Sequence, residues 1–170
     1  MATRDAVAEG AGPSGQGDLD DFVTAVLGAS WLLVGISTRS VESVDARITL
    51  TQFRTLAVLA DRGQTNLSRL AAELDVNAST AMRVIDRLVA AGLVSRRENP
   101  ASRREVVLSL TPVGEQLVAD VVAKRRGEMA VLLGSISVTD QAAMVAALRS
   151  FTTAAEVAGL RPAAPASLGW

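Results

Sequence analysis

Residues 65–92 constrain the fold of this 170-residue chain most, because two short apolar patterns of helical spacing lie there only three residues apart. The apolar residues at that spacing are Leu67, Leu70, Ala71 and Leu74 in the first segment and Ala81, Val84, Ile85 and Leu88 in the second. Each set lies on one helix face and requires a core to cover it. Thr65 and Asn77 are the predicted N-terminal caps, and Asp75 breaks the first helix. The pattern predicts a helix-turn-helix unit.

The second helix of this unit leaves a largely polar face exposed. In a helix-turn-helix unit the second helix enters the major groove of DNA, and its N-terminal residues meet the base edges. Small hydroxyl groups allow close approach there, and Arg83 is long enough to reach guanine O6 and N7. Asp86 is expected to pair with a nearby arginine. The residues predicted to contact DNA from this helix are Asn77, Ser79, Thr80, Met82, Arg83 and Arg87.

Two arginine pairs flank a turn directly after this unit, in the stretch SRRENPASRRE. Residues 93–98 and 105–110 are predicted strands, with residues 99–104 as the loop between them. Six arginines against two acidic residues give residues 77–104 a local net charge of +4. That balance indicates an anionic partner, although a solvated charged face is the alternative. A hairpin in this place is the wing of a winged helix, and Arg103 and Arg104 are predicted to reach the minor groove of DNA.

A capping box predicts the start of another helix just upstream. Thr49 and Gln52 have the spacing at which side chain and backbone satisfy each other reciprocally. Gly63 is predicted to end this helix near its C-terminal cap. The core residues predicted on its buried face are Phe53, Leu56, Ala57 and Ala60.

The remaining predicted helices lie near the two ends of the chain. They cover about residues 19–44, a long segment from Pro112 to about Leu133, and a last segment from a Thr139 cap to about Val157. The first is apolar nearly all round, which is typical of a helix buried in a larger assembly and indicates a homodimer. Residues 1–17 are predicted to be disordered, and residues 160–170 to form a flexible tail.

The first helix also raises the question of a membrane. Residues 22–38 contain no charge, and 17 residues is the lower edge of a membrane-spanning length. Acidic residues precede this stretch, whereas an export signal begins with basic ones. A buried helix in a cytoplasmic protein, without a membrane role, is therefore the prediction.

The chain resembles MarR-type transcriptional regulators over about residues 19–157. The motifs that carry the resemblance are ITLTQFRTL, LSRLAAELDVNASTAMRVIDRLVAAGLV and SRRENPASRREVVLSLTPVG. The resemblance implies a mainly α fold with a small β-hairpin, in one domain of residues 18–159. It implies a winged helix-turn-helix DNA-binding lobe at about residues 48–111 and a dimerisation lobe of N- and C-terminal helices, about residues 19–44 and 112–157. It also implies a homodimer on a pseudo-palindromic operator and, in many members, a ligand cleft.

One position departs from the family pattern. Arg104 and the segment Leu110-Thr111-x-x-Gly114 match it, but Ser102 stands where family members usually have Asp. That Asp is able to pair with the wing arginine and aim it, and a Ser hydroxyl is a weaker substitute. Met82 stands where a polar residue is common, so apolar contact with a thymine methyl is the expectation there.

The effector is expected to be a small, largely apolar molecule held between the first, second and fifth helices. The chain has no Cys and no His, which excludes sensing by thiol oxidation or by imidazole titration. Trp31 and Phe53 are the candidate ligand contacts, although each also fits a place in the core or, for Trp31, an interface. Arg125 and Arg126 are expected on a solvated face of the long helix.

The same absences bear on catalysis. Without His or Cys, and without a phosphate-binding glycine loop or a metal-spaced cluster, the sequence predicts neither an enzyme nor a cofactor or metal site. The prediction is a repressor that binds specific DNA. The alternatives are a winged helix that docks on protein, which the net charge of −1 permits, and a sequence-blind architectural DNA binder. Binding that weakens steeply with salt would separate DNA from protein docking.

Overall fold

A computed structural model describes residues 14–99 and 102–160, with side chains over residues 17–98 and 106–160. Its elements are α1 (Ser14–Val44), α2 (Leu50–Arg62), α3 (Leu67–Leu74), α4 (Ala78–Ala90), β1 (Val94–Asn99), β2 (Ser102–Leu110), α5 (Pro112–Leu133) and α6 (Val138–Val157). The predicted mainly α fold with one small hairpin is confirmed. The chain divides into two compact units, one ending at Gly35 and the other beginning at Ile36.

Three helices begin where the sequence predicts. At α2 the Gln52 backbone N–H donates to Thr49 Oγ1 at 3.2 Å, and the Thr49 N–H donates to Gln52 Oε1 at 2.8 Å. At α4 the Thr80 N–H donates to Asn77 Oδ1 at 2.8 Å. At α5 Thr111 is the cap and Pro112 the first helical residue. These caps, of which only the one at α2 is reciprocal, satisfy N–H groups that the helix itself leaves without partners.

The predicted cap of α3 is wrong by one residue. Asn66 caps α3, and its Oδ1 accepts the Arg69 N–H at 2.9 Å. Thr65 instead forms an antiparallel bridge with Leu108: its N–H donates to the Leu108 carbonyl at 3.0 Å, and its carbonyl accepts the Leu108 N–H at 2.8 Å. Thr65 and Asn66 are both residue types that cap helices. Because the Thr65 backbone pairs with β2, Asn66 is the residue that caps α3.

Three smaller predictions also need correction. Ser137, not Thr139, caps α6, and its Oγ accepts the Asp140 N–H at 3.2 Å. Ala60 is exposed, not buried in the core face of α2. The helix α1 begins at Ser14 rather than near Leu19, because once nucleated a helix extends through residues that carry no apolar pattern. Disorder predicted for residues 1–17 is therefore wrong for residues 14–17, which lie in α1, and residues 1–13 and 161–170 of the two predicted tails lie outside the described residues.

The core lies in the unit that begins at Ile36, between α2, α3, α4, the hairpin and the first half of α5. Its largest fully buried side chains include Phe53, Leu56, Leu59, Leu70, Ile85 and Leu88. Three residues of α5, Leu117, Val118 and Val121, are buried in the same core. The buried faces of α3 and α4 are those predicted from apolar spacing, with Leu67 and Val84 only partly covered.

The hairpin is longer than predicted on its second strand. The two strands pair in register from Val94 with Leu110 to Glu98 with Val106, and then Asn99 pairs with Ser102. Residues 103–105 therefore form a bulge within β2, since three residues there lie opposite a single step of β1. Arg103 and Arg104 belong to a strand and not to the loop. Residues 100–101, the rest of the predicted loop, lie outside the described residues.

The segment after β2 connects the start of α5 to the residues that follow α4 through hydrogen bonds. The Thr111 hydroxyl donates to the Gly92 carbonyl at 2.7 Å, and the Thr111 N–H donates to the Leu93 carbonyl at 3.0 Å. A Cβ on Gly114 would lie 2.2 Å from the same Leu93 carbonyl oxygen. Only a residue without a side chain allows this approach, which gives the Leu-Thr-x-x-Gly segment a physical reason.

Large apolar side chains remain exposed along most of two helices, and a few lie exposed elsewhere, among them Val113 and Val131 on α5. On α1 they are Leu19, Phe22, Val23, Leu27, Trp31, Leu32, Leu33 and Val34. On α6 they are Val138, Met144, Val145, Leu148, Phe151 and Val157, and no residue of α6 is buried. The helix Gly17–Val44 is also long and apolar enough to cross a membrane, and its most apolar window of 18 residues has a mean hydropathy of 1.6. One such helix is weak evidence for a membrane, because a helix covered inside a soluble assembly passes the same test.

Candidate nucleic-acid interface

The helices α3 and α4 meet through a turn of three residues, Asp75 to Asn77. Asp75 adopts the left-handed conformation, with φ of 54°, at the C-terminal end of α3. The Val76 N–H donates back to the Ala71 carbonyl at 3.0 Å, which satisfies the end of that helix. The predicted helix-turn-helix unit is therefore present. With the hairpin directly after α4, it forms a winged helix.

The first turn of α4 presents small polar groups. The Ser79 hydroxyl donates to Asn77 Oδ1 at 2.8 Å, so this oxygen receives both Ser79 and the Thr80 N–H. Asn77 and Ser79 are exposed, and Thr80 is half-buried. Asn77 is thus first of all the cap of α4, and its Nδ2 group carries the donors that it could offer to DNA.

The long cations of α4 lie on the same outer surface. Arg83 and Arg87 are both exposed, as the pattern predicts. The Arg83 guanidinium lies back along the helix, with its Nη2 donating to Thr80 Oγ1 at 3.3 Å. Such a long, exposed hydrogen bond is weak, so the side chain is able to exchange it for a stronger acceptor.

Arg96 joins the hairpin to α4, and sequence reasoning missed this role. Its Nη1 lies 3.3 Å from Asp86 Oδ1 and 3.7 Å from Met82 Sδ. The expected pairing of Asp86 with a nearby arginine is confirmed. The signal that could have found it is strand alternation: Arg96 stands two residues after the buried Val94, so both point to the helix side of the hairpin.

A cleft of about 310 Å³ lies beneath this contact. It separates the start of α3 and one side of α4 from the hairpin, and its walls include Leu67, Ile85 and Val106. Arg96 and Met82 line it as well. The hairpin is therefore linked to α4 in part across open space and not by packed side chains alone.

Comparison with known proteins decides the family. A sequence model of the MarR family matches residues 48–106. The crystal structure of RV1404 from Mycobacterium tuberculosis is 40% identical, covers 88% of this chain and 98% of its own, and superposes with a TM-score of 0.76. The chain belongs to the MarR family.

Two further relatives extend this likeness. The HTH-type transcriptional repressor NicR of Pseudomonas putida is 29% identical over 118 residues, which is 69% of this chain and 75% of that protein. BpsR of Bordetella bronchiseptica is 28% identical, covers 76% of this chain and 91% of its own, and has a TM-score of 0.56. The BpsR structure concerns regulation of its DNA binding by 6-hydroxynicotinic acid. As a MarR-family protein, this chain is a DNA-binding transcriptional regulator of winged helix-turn-helix fold.

The two predicted wing residues of this MarR-family chain are placed only by their backbone. Arg103 and Arg104 lie in β2, directly after Ser102, where that strand bulges away from β1. Their side chains lie outside the described ones. Their contact with DNA stays a prediction, as does the consequence of Ser102 in place of the usual Asp.

The two predicted ligand contacts lie in different surroundings. Trp31 is 74% exposed on α1, and Phe53 is fully enclosed by the core around α2. Full enclosure favours the core alternative for Phe53, and a ligand role for either residue stays a prediction.

Arg125 differs from its predicted place on a solvated face. It is half-buried on α5, and this burial lowers the pKa of its guanidinium, whereas its neighbour Arg126 is exposed as predicted. On α2, the Nε of Arg54 is buried without a hydrogen-bond partner among the described residues. Arg54 and Arg125 are thus both partly withdrawn from water on packed helices.

Proposed function

We propose that this protein represses transcription as a homodimer that reads a pseudo-palindromic operator in the cytoplasm, and that a small molecule alters its affinity for DNA. The observation that carries the DNA reading is the outer face of α4, where small hydroxyl groups stand beside Arg83 and Arg87. Two copies related by a two-fold axis would place two such helices in successive major grooves. The relative NicR is named a transcriptional repressor, which supports repression and not activation as the form of regulation.

Exposed apolar residues support the homodimer. They cover successive turns of α1 and α6, the two helices at the ends of the described chain. Contiguous apolar surface of this extent marks an interaction site in a soluble protein. The same residues also account for the apolar character of α1 without a membrane, because a second copy of the chain would cover them.

The readout by α4 is testable with a duplex selected by the wild-type protein from a random-sequence library. Arg83→Ala should cost about 1–3 kcal/mol of affinity for that duplex and relax the preference at one base position. Arg126→Ala removes another exposed arginine, on α5, and should leave the affinity and the base preference unchanged. The measurement is fluorescence anisotropy, followed by repeated selection with each variant.

The salt dependence of binding distinguishes DNA recognition from the alternative, docking on a protein. Affinity for the selected duplex should fall steeply as salt rises, because arginines that neutralise phosphates release counterions on binding. If the library gives no enriched sequence and the protein binds all duplexes equally weakly, specific repression is excluded. The winged helix would then serve as a protein-docking surface or as an architectural DNA binder.

The effector is proposed to be a small aromatic acid. The sequence predicts a largely apolar molecule, and the half-buried Arg125 adds a site where a carboxylate would be favourable. BpsR, whose DNA binding 6-hydroxynicotinic acid regulates, supports this class. The test adds 6-hydroxynicotinate, benzoate or uncharged benzyl alcohol to the protein–duplex complex.

Release of DNA by one of the two acids, but not by the alcohol, is the expected result. Arg125→Met should keep its affinity for the duplex and lose the response, while Arg126→Met should keep both. Equal release by all three compounds, or a normal response in Arg125→Met, would contradict the acid-binding role.

A further inference from the structure

We propose that Arg96 is a positioning residue for DNA recognition, which holds α4 against the hairpin through Asp86 and Met82 and keeps the Asp86 carboxylate away from DNA. This inference rests on the proposed reading of DNA by α4. It assigns no direct DNA contact to Arg96. The residue acts on recognition through the helix that it contacts.

The geometry places one guanidinium between two elements. Arg96 Nη1 lies 3.3 Å from Asp86 Oδ1 and 3.7 Å from Met82 Sδ, and these two residues are one helical turn apart on α4. Residues four apart in a helix lie on the same face, so Arg96 contacts a single side of α4 at two levels. A contact at two levels restrains both the distance of the helix from β1 and its rotation.

The cleft lined by Arg96 leaves one side of α4 without close packing against the hairpin. Its volume of about 310 Å³ is space that side chains from α3, α4 and the hairpin do not fill. Close packing ordinarily fixes the spacing of neighbouring elements, and it is incomplete here. The Arg96 side chain lines the cleft and reaches α4 across this gap, so it supplies a link that apolar contacts do not.

Charge gives the second part of the argument. Asp86 lies between Arg83 and Arg87 on the helix that is proposed to enter the major groove, and its side chain is 58% exposed. A free carboxylate at this place would be repelled by the phosphates of DNA. The Arg96 side chain, itself 40% exposed, offsets that charge and draws it toward the hairpin.

The stability of the fold does not require this pair. Ion pairs between exposed side chains contribute little to folding, because both partners are well solvated when apart. Substitution of Arg96 should therefore change DNA recognition much more than the thermal unfolding midpoint. This difference separates a positioning role from a structural one.

The test uses the full chain and the duplex selected by the wild-type protein. Arg96→Gln should weaken binding roughly tenfold, because it loosens α4 and leaves the Asp86 carboxylate uncompensated. Asp86→Asn should weaken binding less, by about threefold, because it loses the same restraint on α4 but also removes the repelling charge. The double variant should bind like Asp86→Asn alone, and this rescue is the decisive result.

Arg96→Lys is the conservative control. The pair consists of one contact between single atoms, so a lysine ammonium can replace the guanidinium and should keep most of the affinity. All four variants should unfold within roughly 2 °C of wild type, measured by circular dichroism.

Three outcomes would overturn the inference. A double variant as weak as Arg96→Gln would show that Arg96 acts on DNA directly, and a lower salt dependence in both proteins would support that reading. Wild-type affinity in Arg96→Gln would show that the contact does not matter. A large fall in its unfolding midpoint would show that the contact is structural. These outcomes leave the proposed function intact if Arg83→Ala still loses affinity, whereas failure to select any duplex overturns both.

Discussion

The helices α4 and α6 both carry apolar residues at helical spacing, and they differ in what covers those residues. On α4, Ala81, Ile85 and Leu88 are fully buried, and the helix contacts α2, α3 and β1. On α6, the apolar side chains that include Leu148 and Phe151 are exposed, and no residue of the helix is buried. The DNA-binding lobe predicted at about residues 48–111 thus completes its core within one chain, together with Val41, Leu117, Val118 and Val121, whereas α6 does not.

This difference teaches that the period of an apolar pattern identifies a face and not the molecule that covers it. Within the lobe, each face finds its partner a few dozen residues away. The helix α6 has no such partner in the described part of the chain. We infer that a second copy supplies it, in agreement with membership of the MarR family, and the first prediction below would break or support that comparison.

The largest effect is expected from charge on the exposed face of α6. The double variant Leu148→Glu with Phe151→Glu should make the free energy of dimerisation less favourable by at least about 2 kcal/mol, because two carboxylates would lose water in the interface. The double variant should sediment as a monomer and lose affinity for the selected duplex, since two linked half-sites bind more tightly than one.

Val89→Glu is the matched control in the lobe. Val89 is an exposed apolar residue of α4, and its substitution should leave the sedimentation coefficient unchanged. A double α6 variant that remains dimeric at micromolar concentration would mean that α6 is not the interface, and the comparison of the two helices would fail.

Two glycines of α5 provide the next test, on the stability of the fold. Gly114→Ala should destabilise by about 1–3 kcal/mol, because its Cβ would meet the backbone oxygen of Leu93, which cannot move without disturbing α4. Gly127→Ala has open space around it in this chain and should stabilise the helix by about 0.5–1 kcal/mol. Urea unfolding of both variants gives the two values.

The Gly127 result also sharpens the comparison of regions. A destabilising Gly127→Ala would indicate that a second copy packs closely at this point, since nothing within the described chain does. The change in unfolding free energy for Gly114→Ala thus tests the packing of the lobe, and the sign of that change for Gly127→Ala tests the surface outside it. No effect at Gly114 would contradict the close approach to Leu93.

Sequence reasoning succeeded where one local signal decides the structure. The capping box of Thr49 and Gln52, the Asn77 cap and the Thr111-Pro112 start all depend on residues within one turn of each other. The buried faces of α3 and α4 follow from spacing alone. These parts of the fold, and the exposed residues of α4 in the candidate site, could be predicted without coordinates.

The failures have a different cause, because each depends on a contact between distant segments. Thr65 lost its predicted capping role to pairing with Leu108, which lies 43 residues further along the chain. Arg96 gained its role from Asp86 and Met82 on another element. The half-burial of Arg125 likewise depends on how α5 packs, and a charge pattern cannot report it.

A smaller effect on binding is expected from the wing. Arg104→Ala should weaken binding to the selected duplex by about 1 kcal/mol at low salt, with a salt dependence lower by about one counterion. Folding and dimerisation should stay normal, because Arg104 lies in the bulged part of β2, at the end of the hairpin away from its core residues Val94 and Leu108. The measurement is anisotropy at two salt concentrations, with A·T pairs under the wing replaced by G·C in a second duplex.

Ser102→Asp tests the departure from the family pattern in the same assay. If the missing carboxylate leaves the wing loose, this change should tighten binding or leave it nearly unchanged. Wild-type affinity in Arg104→Ala at low salt would mean that the wing does not contact DNA. Recognition would then depend on α4 alone, and the bulge in β2 would have no function in binding.

The smallest effect is expected from pH. Its measurement tests whether the stability of the fold and its affinity for DNA depend on packing and not on the titration of side chains. The chain has no His and no Cys, so no side chain of either type changes charge between pH 6 and 8. Asp45, in the connection between α1 and α2, has a pKa lowered by hydrogen bonds from the Arg47 side chain and backbone N–H. A lowered folded-state pKa stabilises the fold above the unfolded value, near about 4, and this contribution is lost as pH falls through the folded pKa. Unfolding midpoints should therefore be flat from pH 6 to 8, and the difference between wild type and Asp45→Asn should shrink only below about pH 4. A DNA affinity that changes tenfold between pH 6 and 8 would require a group that titrates there, such as a carboxyl group with a strongly raised pKa, and the regulation would then involve protons as well as an effector.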